Sequence, residues 1–395
     1  MITEIERITD LTRKMVEIPS VTGRHDEALE VLNLVDNYLE GAPGLVSQTF
    51  ESTNKETGEK IVSRLWGDTN NLLNPKLLFS GHIDVVQAES DLFHVQQRDG
   101  KLYGRGTGDM KGHVAAEVIS YKRWLDKNGN PNGVGLLLTS DEEVGGFNGA
   151  RYVVESGGLR PSTVFIPDGE FSFDIVDSQK APHHFHVRAL SATKGGHVSK
   201  TFKLDNPVSR VLAVYAGMRE KYSLATKDDE WKSTFEMTVF NTGNGEGKNK
   251  VINSANQIPQ FADAWFGWRW PLEVSIDGRK ATFKSGQRDL RRLAEKHGVE
   301  ILNDGHGFGE GCYTNPDAPF VQKWKGIIET VMDRKVGFQH MHGATDGRHF
   351  AKFGSQVLVT SAVTGGAHSN DEWVDINSLV ILAEAMYKYQ AEMTK

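Results

Sequence analysis

Three short apolar runs, each ending in an acid or a histidine, constrain this chain more than any other feature. Leu77-Leu78-Phe79-Ser80-Gly81 leads into His82 and Asp84, Gly135-Leu136-Leu137-Leu138-Thr139-Ser140 into Asp141-Glu142-Glu143, and Val164-Phe165-Ile166-Pro167 into Asp168. Continuous apolar runs of this length suit strands buried on both faces, as in a mostly parallel sheet flanked by helices. The segments between them, Gly112 to Leu125 and Gly149 to Ser156, carry helical patterns, so strands alternate with helices in an α/β arrangement. Sites in such sheets lie beyond the carboxyl ends of the strands, which predicts that the three polar ends face one place.

Around this centre, Ile5, Ile8, Leu11, Met15 and Val16 recur at helical spacing until Pro19, and a second helix is predicted from Glu27 to Leu39. The polar stretch from Glu51 to Glu59 reads as a hairpin turn or loop. From about His184 the texture changes. Strands at 184–190, 235–240, 261–270 and 299–302 interleave with helices at 207–218 and 290–297, the order of a ferredoxin-like α+β domain. A helix from Pro319, a strand at 356–360 and a closing helix from Ile376 return to the first pattern. The expected division is a catalytic domain over 1–182 and 305–395 with an inserted lid over 183–304. At 395 residues the chain exceeds a usual single core.

The functional classes narrow with composition. A net charge of -7 without a basic stripe argues against nucleic acid and anionic membrane surfaces. No run reaches membrane-spanning length, the opening residues lack a signal-peptide core, and the single cysteine, Cys312, fits a reducing compartment, so the expected location is cytoplasmic.

The polar ends are metal-capable. Imidazole and carboxylate hold zinc and its relatives where no thiolate is offered. His82 and Asp84 stand two apart, on one face of an extended segment, so Asp84 could steady the His82 ring; an ordinary hydrogen-bonded pair capping a strand would look the same. Asp99 to Gly112 packs five glycines around Asp109 just before a helix. A phosphate cradle would need donors where this loop presents an acid, and a carboxylate shared between two cations instead offsets their repulsion. An isolated Glu-Glu is ordinarily a solvated turn, but Glu142 and Glu143 follow a buried strand and face opposite ways. One can then bind metal while the other acts as general base on a water acidified by the metal. His368, 200 positions after Asp168, lies in a turn-rich segment at the expected edge.

Several motifs together carry a resemblance. Gly-His-Ile-Asp-Val-Val, Gly-Arg-Gly-Thr-Gly-Asp-Met-Lys-Gly, Asp-Glu-Glu-Val-Gly-Gly and Gly-Ala-His-Ser-Asn-Asp-Glu-Trp, in this order across nearly the whole chain, resemble the dizinc metallopeptidase and deacylase family of acetylornithine deacetylase, succinyl-diaminopimelate desuccinylase, bacterial dipeptidases and aminoacylase. The resemblance implies two Zn2+ per chain, with Co2+ or Mn2+ as substitutes. His82, Asp109 and Asp168 would hold one ion and Asp109, Glu143 and His368 the other, with Asp84 orienting His82 and Glu142 as base. It further implies a homodimer formed through the inserted domain and an oxyanion-stabilising histidine, matched by His197. Asn256 in Asn-Gln-Ile-Pro, Arg269, and Thr345 and Arg348 of Thr-Asp-Gly-Arg resemble residues that contact substrate. A structural salt bridge is the alternative for either arginine.

The substrate follows less directly. Asp168 within Pro-Asp-Gly-Glu-Phe looks like the dipeptidase branch, whereas Thr345-Asp346-Gly347-Arg348 looks like the deacylase branch. The expected activity is exopeptidase-like cleavage of a small peptide, with N-acyl amino acid deacylation as the alternative and a catalytically silent peptide-binding homologue as a third reading.

Overall fold

The computed structural model describes residues 3–55, 57–169, 172–244, 255–271, 275–276, 279–280, 283–305 and 311–395. Glu170 and Phe171 of the Pro-Asp-x-Glu-Phe motif lie outside them. Two compact units emerge, one of 1–178, 312–341 and 345–395, the other of 179–311 and 342–344.

The first unit begins with helices α1 (Glu4–Glu17) and α2 (His25–Leu39). Thr3 caps α1 reciprocally with Glu6, and Pro19 follows its end. The hairpin β1 (Leu45–Thr53) and β2 (Lys60–Asp68) comes next, so the turn expected over 51–59 begins only after Thr53. Then follow β3 (Leu77–His82), the short β4 (Gln96–Arg98) and β5 (Lys101–Tyr103), α3 (Lys111–Asn128), β6 (Val134–Thr139), α4 (Ala150–Glu155), β7 (Thr163–Ile166) and β8 (Ile175–Gln179).

The second unit comprises β9 (Ala181–Leu190), β10 (Gly196–His197), α5 (Pro207–Tyr222), β11 (Thr234–Gly243), β12 (Gln257–Ile258), β13 (Phe261–Trp270), the two-residue β14 (Ser275–Ile276) and β15 (Arg279–Lys280), α6 (Phe283–His297) and β16 (Glu300–Asp304). Its main sheet runs β11-β13-β9-β16, antiparallel throughout. Phe185 and Val187 of β9 and Phe266 and Trp268 of β13 pack with Val211 and Val214 of α5 and Leu290 of α6, so both helices cover one face of the ferredoxin-like sheet.

The chain returns to the first unit with α7 (Pro319–Met332), β17 (Phe338–Met341), α8 (Gly347–Ala351), β18 (Gln356–Val359), β19 (Thr364–Gly365), β20 (Trp373–Asp375) and α9 (Ile376–Met393). The large sheet has the order β1-β2-β6-β3-β7-β18-β8-β17, and its inner strands β6, β3, β7 and β18 are parallel. Alternate residues of these strands feed two cores. Leu77, Phe79, Leu136, Leu138 and Phe165 join α1, α2, α3, α7 and α9 on one face. Leu78, Leu137, Val164 and Ile166 join α4 and α8 on the other. Burial on both faces is why these segments read as unbroken apolar runs rather than alternating ones.

Candidate metal centre

The inner strands end together. His82 pairs in register with Thr139, and Phe79 with Phe165, so continuing that register brings 168 level with 82. The next residues on each strand are the acids of the sequence motifs. One oxygen or nitrogen from each of His82, Asp109 and Glu143 lies within 4.8 Å of the others, and the same holds for His82, Glu142 and Asp168. Asp109 stands between two histidines: its Oδ1 is 3.1 Å from His82 Nε2 and its Oδ2 is 3.2 Å from His368 Nε2. His368 Nε2 also lies 2.9 Å from Glu143 Oε2. The His368 backbone is left-handed, φ 63°, a conformation uncommon for a residue with a Cβ and kept where the surroundings fix it.

The Glu142–Glu143 turn is held from two sides. Asp84 lies beyond the end of β3, and its carboxylate accepts the backbone N–H groups of Glu142 (3.1 Å) and Glu143 (3.3 Å) and the Thr22 hydroxyl (2.8 Å). Asp84 also meets the His82 ring: His82 Nδ1 sits 3.0 Å from the Asp84 carbonyl and 3.5 Å from its carboxylate. From the other side, Arg348, 6% exposed, donates to the Gly145 carbonyl at 2.7 Å, and Thr345 is fully buried. Arg348 therefore braces the turn, while the Thr345 hydroxyl accepts Gly347 N–H at 3.2 Å.

Three acids that sequence reasoning passed over complete the arrangement. Glu372 accepts the N–H groups of Gly106, Gly108 and Asp109 and pairs with Arg105. Asp141 and Asp346 are buried behind the turn, accepting from Asn148 N–H and the Thr139 hydroxyl respectively. The signal for Glu372 was its place in the His-Ser-Asn-Asp-Glu-Trp motif.

The electrostatics fit cations. Burial, reinforced by neighbouring carboxylates, pushes Asp168, Glu142 and Glu143 above the usual carboxylate range. Burial also acts to raise Asp109, but hydrogen bonds from His368 and His82 outweigh it and hold this carboxyl low. Hydrogen bonds to Asp109 and Glu143 lift His368 to about 10. His82 is raised too: burial opposes its charged form, and hydrogen bonds to Asp109 and Asp84 prevail. Glu143 Oε1 is buried with no hydrogen-bond partner among the described residues. Donors bound to one zinc at about 2.0–2.2 Å in tetrahedral array stand about 3.3–3.6 Å apart, so the 3.1 Å His82–Asp109, 3.2 Å His368–Asp109 and 2.9 Å His368–Glu143 separations are close to that spacing. His82, Asp109, Glu143, Asp168 and His368 are thus residues that could hold metal.

The second unit carries the remaining predicted residues. His197 is exposed, and its Nδ1 lies 3.2 Å from the Ser199 N–H nitrogen and 2.8 Å from the Ser199 hydroxyl oxygen. Asn256 is exposed at a turn whose carbonyl accepts Val198 N–H. Arg269, on β13, lines a groove of about 690 Å³ with Lys180, Thr226, Lys227, Glu230 and His342.

Residues 78–392 match the model of Peptidase family M20/M25/M40. The chain belongs to this family. Membership makes it a hydrolase of amide bonds, the general chemistry that an M20 peptidase performs with metal. It is 30% identical over 342 residues to a succinyl-diaminopimelate desuccinylase of Xylella fastidiosa, covering 82% of this chain and 84% of that one. A desuccinylase of Acinetobacter baumannii is 28% identical over 344 residues, covering 82% and 86%. Among solved structures, a tripeptidase of Staphylococcus aureus superposes with a TM-score of 0.74 at 17% identity over the whole of both chains. An M20 metallo-carboxypeptidase of Sulfolobus solfataricus also gives 0.74, at 18% identity over 98% of this chain and 99% of that one. These likenesses show that the M20 chain has the family's fold. No described helix of it is long and apolar enough to cross a membrane.

Proposed function

We propose that this M20 chain hydrolyses the amide bond of a small N-acyl amino acid at a two-metal centre, with Glu142 as general base. The observation that carries the reading is Asp109, one carboxylate oxygen toward His82 and the other toward His368. His82, Asp109 and Asp168 would hold one ion in this reading, and Asp109, Glu143 and His368 the other. Zinc suits the donors, as do cobalt and manganese. Bound ions supply Lewis acidity toward the scissile carbonyl and toward water.

The chain's own groups do the rest. Glu142 takes a proton from the attacking water and delivers it to the leaving amine. Asp84 holds the backbone on which Glu142 and Glu143 are mounted. His197 donates its Nε2–H to the oxyanion as it develops. Asn256 and Arg269 meet the substrate's polar end, a guanidinium fork being suited to a carboxylate. Arg348 braces the turn through the Gly145 carbonyl, and Thr345 and Arg348 remain candidates for substrate contact in this reading. Dimerisation through the second unit is part of the proposal, supported by exposed Val239 and Phe240 on edge strand β11 and by Phe202.

The two desuccinylase relatives favour an acyl substrate. Asp168 favours a second reading, cleavage of a short peptide, since its motif is similar to that of the dipeptidase branch. Turnover by purified zinc-loaded protein on N-succinyl and N-acetyl amino acids beside di- and tripeptides decides between them. Cleavage of peptides alone overturns the acyl reading.

A further inference from the structure

We infer that Glu372 is a positioning residue that sets Asp109 against His368, so that the ion these two share finds its donors already paired. The inference rests on the two-metal reading above. Glu372 is 2% exposed, and its Oε1 accepts three consecutive-loop amides, Gly106 N–H at 2.8 Å and Gly108 and Asp109 N–H each at 3.0 Å. Its Oε2 lies 2.5 Å from Arg105 Nη1, itself 3% exposed, and its backbone carbonyl accepts Gly104 N–H at 3.1 Å. A carboxylate satisfied by three amides and a guanidinium has no rotational freedom left.

The glycine loop is thereby laid on the segment that carries His368. A Cβ at Gly108 would stand 3.0 Å from the Trp373 carbonyl, so a side chain there would press the two segments apart by a few tenths of an ångström. Strand pairing alone would keep the two segments adjacent, since Trp373 pairs with Tyr103 and Val374 with Leu102. What Glu372 adds is the location of the Asp109 N–H, and with it the 3.2 Å separation between Asp109 Oδ2 and His368 Nε2. The carboxylate thus fixes the geometry of two proposed ligands without touching an ion.

The test is Co2+ binding to metal-free wild type, Glu372→Gln and Glu372→Ala, read by equilibrium dialysis and by visible absorption, with kcat and KM measured on the loaded forms. Glu372→Gln keeps a weaker acceptor in place. It is expected to weaken the lower-affinity binding step roughly 10- to 100-fold, the range for groups that orient ligands, and to lower kcat while KM stays near wild type. Glu372→Ala is expected to retain about one ion. Should it fail to fold, the Gln variant decides alone. Unchanged affinity for both ions in Glu372→Gln, or a loss of thermal stability with no loss of affinity, overturns the inference. A wild type that takes up fewer than two ions overturns the two-metal reading itself, a result obtained before any variant is made.

Discussion

The carboxylate of Asp84 holds the backbone N–H of Glu142 at 3.1 Å and that of Glu143 at 3.3 Å. One buried acid therefore governs the base and a ligand of the proposed centre at once, by fixing the main chain from which both side chains spring. Asp84→Asn can accept at only one oxygen, so one of the two amides or the Thr22 hydroxyl loses its partner. We expect kcat to fall roughly 10- to 100-fold, as for other groups that orient ligands, with the protein still folded. Wild-type kcat in Asp84→Asn would show that the turn needs no such anchor.

Glu142 lies close enough to His82 and Asp168 to offer an oxygen to the same ion, which makes its role separable by experiment. As a base, Glu142→Gln should lower kcat by roughly 10²- to 10⁴-fold while metal content stays at the wild-type level. Metal analysis of the purified variant checks this. Loss of an ion would place Glu142 among the ligands instead.

The parts of this centre that were legible in sequence share a physical cause. Strands β3, β6 and β7 are buried on both faces, so each appears as an apolar run, and the polar residue that ends each run is conspicuous. The rest depends on where side chains turn after a strand stops. Alternation puts residues 82 and 84 on one face only while the strand continues, and β3 ends at His82. Arg348 sits on a helix of five residues, Gly347–Ala351, too short for its inward face to show as periodicity. Glu372 binds backbone amides, partners that no side-chain pattern encodes.

His197 Nδ1 meets Ser199 at both its N–H (3.2 Å) and its hydroxyl (2.8 Å), and with Nδ1 as acceptor of both the neutral ring offers Nε2–H. That is the tautomer an oxyanion requires. His197→Ala is expected to lower kcat by about 10²- to 10³-fold, the effect of losing one oxyanion donor, with metal content unchanged. Kinetics indistinguishable from wild type would remove His197 from the mechanism.

Metal uptake should release protons. In the metal-free protein the carboxylates raise His368 to about 10, so its ring carries a proton at neutral pH that a metal must displace, and they raise His82 as well. Calorimetric titration at pH 7 in buffers of different ionisation enthalpy should report net proton release on filling the site. Affinity should rise with pH as those protons become easier to remove. A pH-independent affinity would mean that the histidines are already neutral.

Glu117 supplies a test of stability in the same core. It is fully buried on α3, neither carboxylate oxygen has a hydrogen-bond partner among the described residues, and a Cβ built on Gly81 would meet its Oε2 at 2.8 Å. Burial, with Asp168 nearby, pushes its carboxyl well above the ordinary 4.5, so the folded chain keeps it protonated where the unfolded chain ionises it. The folded state then binds more protons, and the stability this group contributes is full below the unfolded pKa and lost as pH rises toward the folded one. Glu117→Met removes the titration and fills the site with an apolar chain. In metal-free protein its advantage over wild type should be small near pH 5 and grow to about 1–4 kcal/mol at pH 8, the range seen when buried charge is replaced by apolar packing. Urea denaturation at the two pH values measures it, and an equal difference at both would mean that Glu117 is ionised in the fold.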